Sequence, residues 1–297
     1  MRTISAILAC GTVAAFATAA NAQAIDWEKV DAAFGRKPAV VAGDVHRYGF
    51  PRSDLQVTLD GVQIKTPFAL SGWIALKPAH GGVMAMGDLV LLESEVNPVM
   101  AKLIAGGLEV TAVHNHLLRA SPATFYMHVG GHGDAVTLAA AIREALSASK
   151  TPLSPPAAPA APPAIDLDTG QLDQIIGVKG NNAGGVYQFG VPRRGQITES
   201  GVVLTPVGPL GVAHAINFQP TGNAKAAITG DFVLLGNEVN PVLRTLRENG
   251  VDVTALHSHM LGDEPRLYFM HFWANDDAVK LARALRAALE KTTAGKS

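Results

Sequence analysis

"GDLVLLESEVNPV" occupies residues 87–99, and "GDFVLLGNEVNPV" occupies residues 230–242. Each reads as an apolar run that ends in polar residues and a proline, the signature of a strand passing into a helix. Gly87 aligns with Gly230 and Val136 with Val279, without a gap between, and about half of the positions are identical. Similar pairs lie upstream. "AIDWEKVDAAFG" begins at Ala24 and "AIDLDTGQLDQIIG" at Ala164, while "VHRYGFPR" (45–52) is matched by "VYQFGVPR" (186–193). The period is far longer than that of a stacking solenoid repeat, so the chain is a duplication of one domain plan.

The copies meet at "KTPLSPPAAPAAPPA" from Lys150, a stretch with too much proline for a helix or a sheet ladder and the composition of an extended linker. The expected organisation is a first repeat over residues 23–149, a linker over 150–163 and a second repeat over 164–297. Within a repeat, Trp27, Val30 and Phe34 sit at helical spacing. The runs "AVVAGDVHRYGF", "LQVTLDGVQI", "FALSGWIAL" and "GVMAMGDLVLL" read as strands bounded by turn residues. In "EVNPVMAKLIAGG" the expected N-cap is Asn97, with Pro98 at the first helical position and Gly106 or Gly107 as the stop; Asn240 is its twin. "LEVTAVHNHLL" and "ATFYMHV" complete the strands, and helices begin at Asp134 and Asp277, where each carboxylate favours the helix N-terminus. Each repeat is therefore α+β, a mainly antiparallel sheet with packed helices.

The 297 residues carry a net charge of −1 with no block of like charge, and aromatic residues make up 6%. Nothing there suits nucleic acid or an anionic membrane surface. The opening "MRTISAILACGTVAAFATAANAQA" has a basic residue, an apolar stretch and a small-x-small ending at Ala20-Asn21-Ala22, which is the pattern of a signal peptide over residues 1–22. The expected location is periplasmic or secreted, with no transmembrane span in the mature chain. Cys10, the single cysteine, follows "ILA", so lipid attachment at that position is the alternative. A mature chain without a thiol must bind any metal through N and O donors, with Met sulfur as an outside choice.

The donors stand out in "VTAVHNHLLRASPATFYMH" (110–128) and "VTALHSHMLGDEPRLYFMH" (253–271). His114 and His116 share a strand face, as do His257 and His259. Pro122 lies midway between His116 and His128, and Pro265 midway between His259 and His271. With a hairpin tip at each proline, His128 faces His116 and His271 faces His259 across the strand pair. Each repeat would then hold a three-histidine set with imidazoles about 4–5 Å apart, which suits a divalent metal with an open fourth position. Zinc is the first candidate, with copper, manganese and iron as the others. Glu95 and Glu238, repeated in both copies, are the candidate catalytic base or fourth ligand. Met127, Met260 and Met270 point away from the histidines and belong to the core. Tyr126 and Tyr268 are expected in hairpin packing, and His132 in a cap or loop. The bland alternative is a structural imidazole network, in which close neighbours depress one another's protonation.

The motifs "EVNPV", "VTALHSHM" and "PRLYFMHFWANDDAVKLARALRAAL" of the second half resemble the LppY/LpqO family of exported bacterial proteins, and "EVNPV", "VTAVHNHL" and "FYMHVGGHGDAV" carry the resemblance into the first half. It covers both repeats. That family includes lipoproteins and implies no activity or catalytic residue. The first copy departs from it at Gly130-Gly131-His132-Gly133, where the second has Trp273-Ala274-Asn275-Asp276. The sequence thus leads to an exported metal-binding protein, a metal-dependent hydrolase or lyase being one form of it. A metal-free binding module for a small molecule or cell-envelope component is the competing expectation.

Overall fold

The computed structural model describes residues 24–154, 161–205 and 208–295. The expected signal segment with Cys10, and residues 155–160 of the linker, lie outside the described residues.

Each repeat builds a six-stranded antiparallel sheet. In the first these are β1 (Ala39–Val41), β2 (Val45–Pro51), β3 (Ser71–Ala79), β4 (Gly82–Leu92), β5 (Glu109–His114) and β6 (Thr124–Gly133). In the second they are β7 (Asn181–Ala183), β8 (Val186–Val191), β9 (His214–Gly222), β10 (Lys225–Leu234), β11 (Asp252–His257) and β12 (Tyr268–Asp277). Spatial order is β1-β2-β3-β4-β6-β5, and β7-β8-β9-β10-β12-β11 follows the same plan. The helices are α1 (Trp27–Phe34), α2 (Glu93–Ala105) and α3 (Ala135–Leu146), then α4 (Thr169–Ile176), α5 (Gly236–Glu248) and α6 (Ala278–Leu289). The duplicated α+β architecture is as the sequence indicates.

The apolar run in β4 is explained by burial on both faces. Val83, Ala85, Leu89 and Leu91 pack with Val30, Phe34, Leu103 and Ile142 on the helical side. Met84 and Met86 point the other way and meet Leu210, Val212, Met260 and Phe269 of the second repeat. β10 alternates likewise: Ile228 and Phe232 join the helix-side core, whereas Val233 faces the first repeat. The molecule is therefore layered helices, sheet, sheet, helices, with the two inner sheet faces meeting. Each repeat also sends an arm across the other. Val57, Leu59, Ile64 and Phe68 pack with Val186, Ala227 and Trp273, while Ile197, Leu204 and Leu210 pack with Val45, Ala75 and Met84.

Two local expectations are corrected. α2 starts at Glu93, so Asn97 and Pro98 lie inside it, and Asn240 and Pro241 lie inside α5. The N-terminus is closed instead by the third helical residue: the Leu92 amide donates to Glu95 (2.8 Å) and the Leu235 amide to Glu238 (2.8 Å), the reach-back half of a capping box. Asp134 and Asp277 do cap α3 and α6, accepting from the Thr137 and Lys280 amides at 2.8 Å.

The second correction concerns the hairpins. β5 ends at His114 and is bulged between Val110 and Ala112, so His128 lies opposite Ala112, and His116 lies beyond the strand. Pro122 marks no tight turn, because the connection is held by the first arm: Thr58 and Ser121 exchange backbone hydrogen bonds at 2.9 Å. In the second repeat Asp263–Glu264 pair with Thr198–Glu199. The third histidine of each repeat has an aspartate as its direct neighbour on the other side, Asp88 opposite His128 and Asp231 opposite His271.

Candidate functional site

His128 and Asp88 occupy inward positions on β6 and β4, since Met127, Val129 and Leu89 on either side of them are committed to the helix-side core. His271 and Asp231 are placed identically between Met270, Phe272 and Phe232. His114 and His257 end their strands, and His116 and His259 are carried in by the connections that follow. Thr111 Oγ1 donates to the His259 carbonyl and Thr254 Oγ1 to the His116 carbonyl, both at 2.6 Å. Each repeat thus fixes the other's second histidine.

The spacing along the chain implies a separate three-histidine set in each repeat; the structure brings all six rings together between them. Ring centroids of His114 and His257 are 3.5 Å apart, those of His116 and His271 3.8 Å, and those of His128 and His259 3.7 Å. Within the first repeat His114 lies 5.0 Å from both His116 and His128. In the second, His257 lies 4.9 Å from His259 and 5.0 Å from His271. Donor nitrogens of His114, His116 and His128 fall within 4.8 Å of one another, and so do those of His114, His257, His259 and His271.

Orientation is set by the backbone. His271 Nδ1 donates to the Gly230 carbonyl at 2.8 Å. His114 and His257 Nδ1 lie 3.4 and 3.3 Å from the Asn115 and Ser258 carbonyls. A proton held on Nδ1 leaves Nε2 as a lone-pair donor, the arrangement second-shell carbonyls give metal-ligating histidines. Tyr126 stacks on His116 and Phe269 on His259, each with centroids at 3.4 Å, while the Tyr126 hydroxyl donates to the Ala69 carbonyl. Tyr126 is therefore part of the site's wall, whereas Tyr268 is exposed.

All six Nε2 atoms are buried and have no hydrogen-bond partner, as is true of Asp88 Oδ1 and Asp231 Oδ1. Asp88 oxygens stand 3.8 and 3.9 Å from the Nε2 atoms of His116 and His128. Asp231 oxygens stand 3.7 Å from His259 Nε2 and 3.9 Å from His271 Nδ1. Burial, reinforced by the neighbouring His257 ring, brings His114 down to about 3. Burial brings His257 to about 4 and holds His116, His128, His259 and His271 well below the usual imidazole range. It pushes Asp88 well above the ordinary carboxyl range against the pull of Arg47, and raises Asp231 with help from the charge of Asp88. Uncharged imidazoles with free lone pairs are the form that binds metal.

Glu95 and Glu238 do other work. Arg52 Nη1 donates to Glu95 at 2.7 Å, and Arg193 Nη1 to Glu238 at 2.6 Å, in buried ion pairs beneath the helix starts. The Lys150 and Thr293 amides also donate to them, at 2.8 and 3.1 Å. Burial alone would raise the Glu95 carboxyl, but Arg52 and the Leu92 and Lys150 amides bring it below its usual value. Neither glutamate joins the imidazole groups. Met127, Met260 and Met270 are core residues, and His132 is an exposed residue of β6.

A cavity of about 530 Å³ adjoins the cluster, lined by Asp88, Asp231 and the edges of His116, His128, His259 and His271. Its cation is Arg47, whose guanidinium lies 3.9 Å over the Trp73 ring and donates to the Pro209 carbonyl. The matching position in the second repeat is Gln188, whose amide donates to the Pro67 carbonyl at 2.7 Å. Sequence reasoning missed Asp88, Asp231 and Arg47. The aspartates had a signal, since Gly-Asp recurs inside an apolar run in both copies, where a charge has no packing reason to be. Arg47 had none, because only one copy carries it.

The chain belongs to the family described as Domain of Unknown Function (DUF1259), which matches residues 28–148 and again 170–291. No curated protein matches the sequence. Among solved structures, a trimeric bacterial microcompartment shell protein, PduB, aligns over 87% of this chain and 91% of its own at 16% identity with a TM-score of 0.22. A similarity that low supports no argument about fold or function. Among the described residues no helix is long and apolar enough to cross a membrane.

Proposed function

We propose that this DUF1259 protein is an exported metal-binding protein whose six histidines form one composite centre between the repeats, serving a metal-dependent hydrolase or lyase. The observation that carries this reading is the set of six buried Nε2 atoms that converge without a hydrogen-bond partner. Orphaned buried polar atoms each cost about 1–3 kcal/mol, so a cluster of them calls for a ligand that satisfies all at once. Divalent cations do so, and zinc suits neutral imidazole donors best, with copper, manganese and iron as the other candidates. The ion would supply a hydroxide near neutral pH, and Asp88 or Asp231, at the cavity wall, would take up the proton. The LppY/LpqO resemblance of the repeat motifs and the N-terminal apolar pattern support export.

Element analysis of the purified chain, before and after reloading with each metal, tests the reading. Bound metal in stoichiometric amount is expected, and a chain that retains none after reloading would defeat it. A second reading, a metal-free module that binds a small anionic molecule, draws on the cavity and on Arg47 within it. It predicts ligand binding that survives chelator treatment and is lost in Arg47→Gln.

A further inference from the structure

We infer that the composite centre takes two divalent cations, one for each repeat, each held by three imidazoles with Asp88 or Asp231 beside its open fourth position. The inference rests on the metal-binding reading above and adds the number and arrangement of the ions.

The first argument is the donor set. The six imidazoles make up the donor groups, and each carboxylate approaches two histidines of its own repeat. Three imidazoles with an open fourth position make a catalytic metal set, and six imidazoles supply two of them. The carboxylate-to-imidazole separations of 3.7–3.9 Å are too long for hydrogen bonds. They leave each carboxylate beside the open position, where it can take the proton of a water held there.

The second argument is the stacking. The cross-repeat ring pairs are inclined by only 27°, 27° and 23°. Planes inclined by 27° whose ring centres are 3.5 Å apart, as in His114 and His257, converge only about 7 Å from those centres, whereas an ion held in plane by Nε2 lies about 3 Å from its ring centre. One ion cannot lie in the planes of both partners. The stacked layers instead direct their lone pairs to two points separated by roughly the stacking distance. That is the 3.5–4 Å, approximately, at which two-metal sites clamp an oxyanion.

His114 also lies within reach of the second repeat's nitrogens. Its stacking on His257 keeps it out of the plane of that ring's ion, so it stays with His116 and His128. Two divalent ions against two carboxylates leave positive charge at the wall of the cavity that holds Arg47. The chemistry this selects is hydroxide together with a small oxyanion.

The experiment uses the full chain, stripped by chelator and reloaded with Zn²⁺ or Cu²⁺ alone. Element analysis is expected to give two ions per chain, and the Cu²⁺ form a spin-coupled electron paramagnetic resonance spectrum. Asp231→Asn combined with His257→Gln is expected to leave one ion, with the spectrum of an isolated Cu²⁺; thermal unfolding checks that the variant is folded. The wild-type stoichiometry stands if the variant fails to fold. One ion per wild-type chain would overturn the inference while the metal-binding reading survived. Two magnetically isolated ions would overturn the paired arrangement, and no bound metal would overturn both.

Discussion

Replacing Glu238 by Gln separates a structural role for the repeated glutamates from the chemical one their sequence position suggests. Arg193 is buried, and among the described residues its carboxylate partner is Glu238, with Nη1 and Nη2 donating at 2.6 and 3.3 Å and a further bond to the Val233 carbonyl at 2.9 Å. Removing one member of such a pair strands a buried charge, which costs about 3–5 kcal/mol. Glu95 differs in one respect. Arg52 also holds Asp54 through two bonds of 2.9 Å, so its charge stays compensated when Glu95 is neutralised. Glu95→Gln then loses little more than a charge-assisted hydrogen bond, about 1.5–3 kcal/mol. The second-repeat variant is expected to be the weaker by about 2 kcal/mol, the difference between those two costs. At about 2–4 °C per kcal/mol, Glu238→Gln should lower the melting temperature by roughly 6–20 °C. Urea and thermal unfolding of the metal-free protein, with metal content measured in parallel, provide the test. Two variants of wild-type stability that no longer bind metal would refute the structural assignment.

Acid should destabilise the metal-free protein. His114 and His214 are brought to about 3 and His257 to about 4, mainly by burial, against 6.5 in the open chain, so the unfolded state takes up protons first as pH falls. Each such histidine removes about 1.4 kcal/mol per pH unit below 6.5. Asp88 and Asp231, raised by burial, act in the opposite sense but are outnumbered. The urea midpoint should therefore drop between pH 7 and pH 5, and a flat profile would argue against buried neutral imidazoles. Gly230→Ala should be poorly tolerated, because its Cβ would collide with the Ala215 carbonyl on the neighbouring strand; a loss of about 1–3 kcal/mol or more is expected in the same assay. Thr111→Val and Thr254→Val each remove a bond between the repeats and should cost about 0.5–1.5 kcal/mol. The double variant should also release metal more readily to a chelator, which a merely local loss would not cause.

Much of the fold was legible because it follows from local pattern. Period-two and helical spacing, Asp134 and Asp277 at helix starts, and the matched motifs of the two halves all act over a few residues or by direct comparison of the copies. Pro98 misled because it resembles a first helical residue, whereas the reach of Glu95 back to the Leu92 amide sets the true start. The hairpin register could not be read from the spacing around Pro122, because Thr58, distant in sequence, holds that connection. The histidines themselves were visible as donors, and the three within each repeat do gather.

What the sequence determined by itself is the inventory: two copies of one α+β plan, each bringing His-x-His, a third histidine and a Gly-Asp strand. What only tertiary structure decided is that these form one cluster. The apolar runs bury both faces of each sheet, so the second face must find a partner, and the other repeat provides it. Packing the inner faces together stacks His114 on His257, His116 on His271 and His128 on His259. No spacing along the chain encodes that contact, because it arises from the burial of apolar surface between layers.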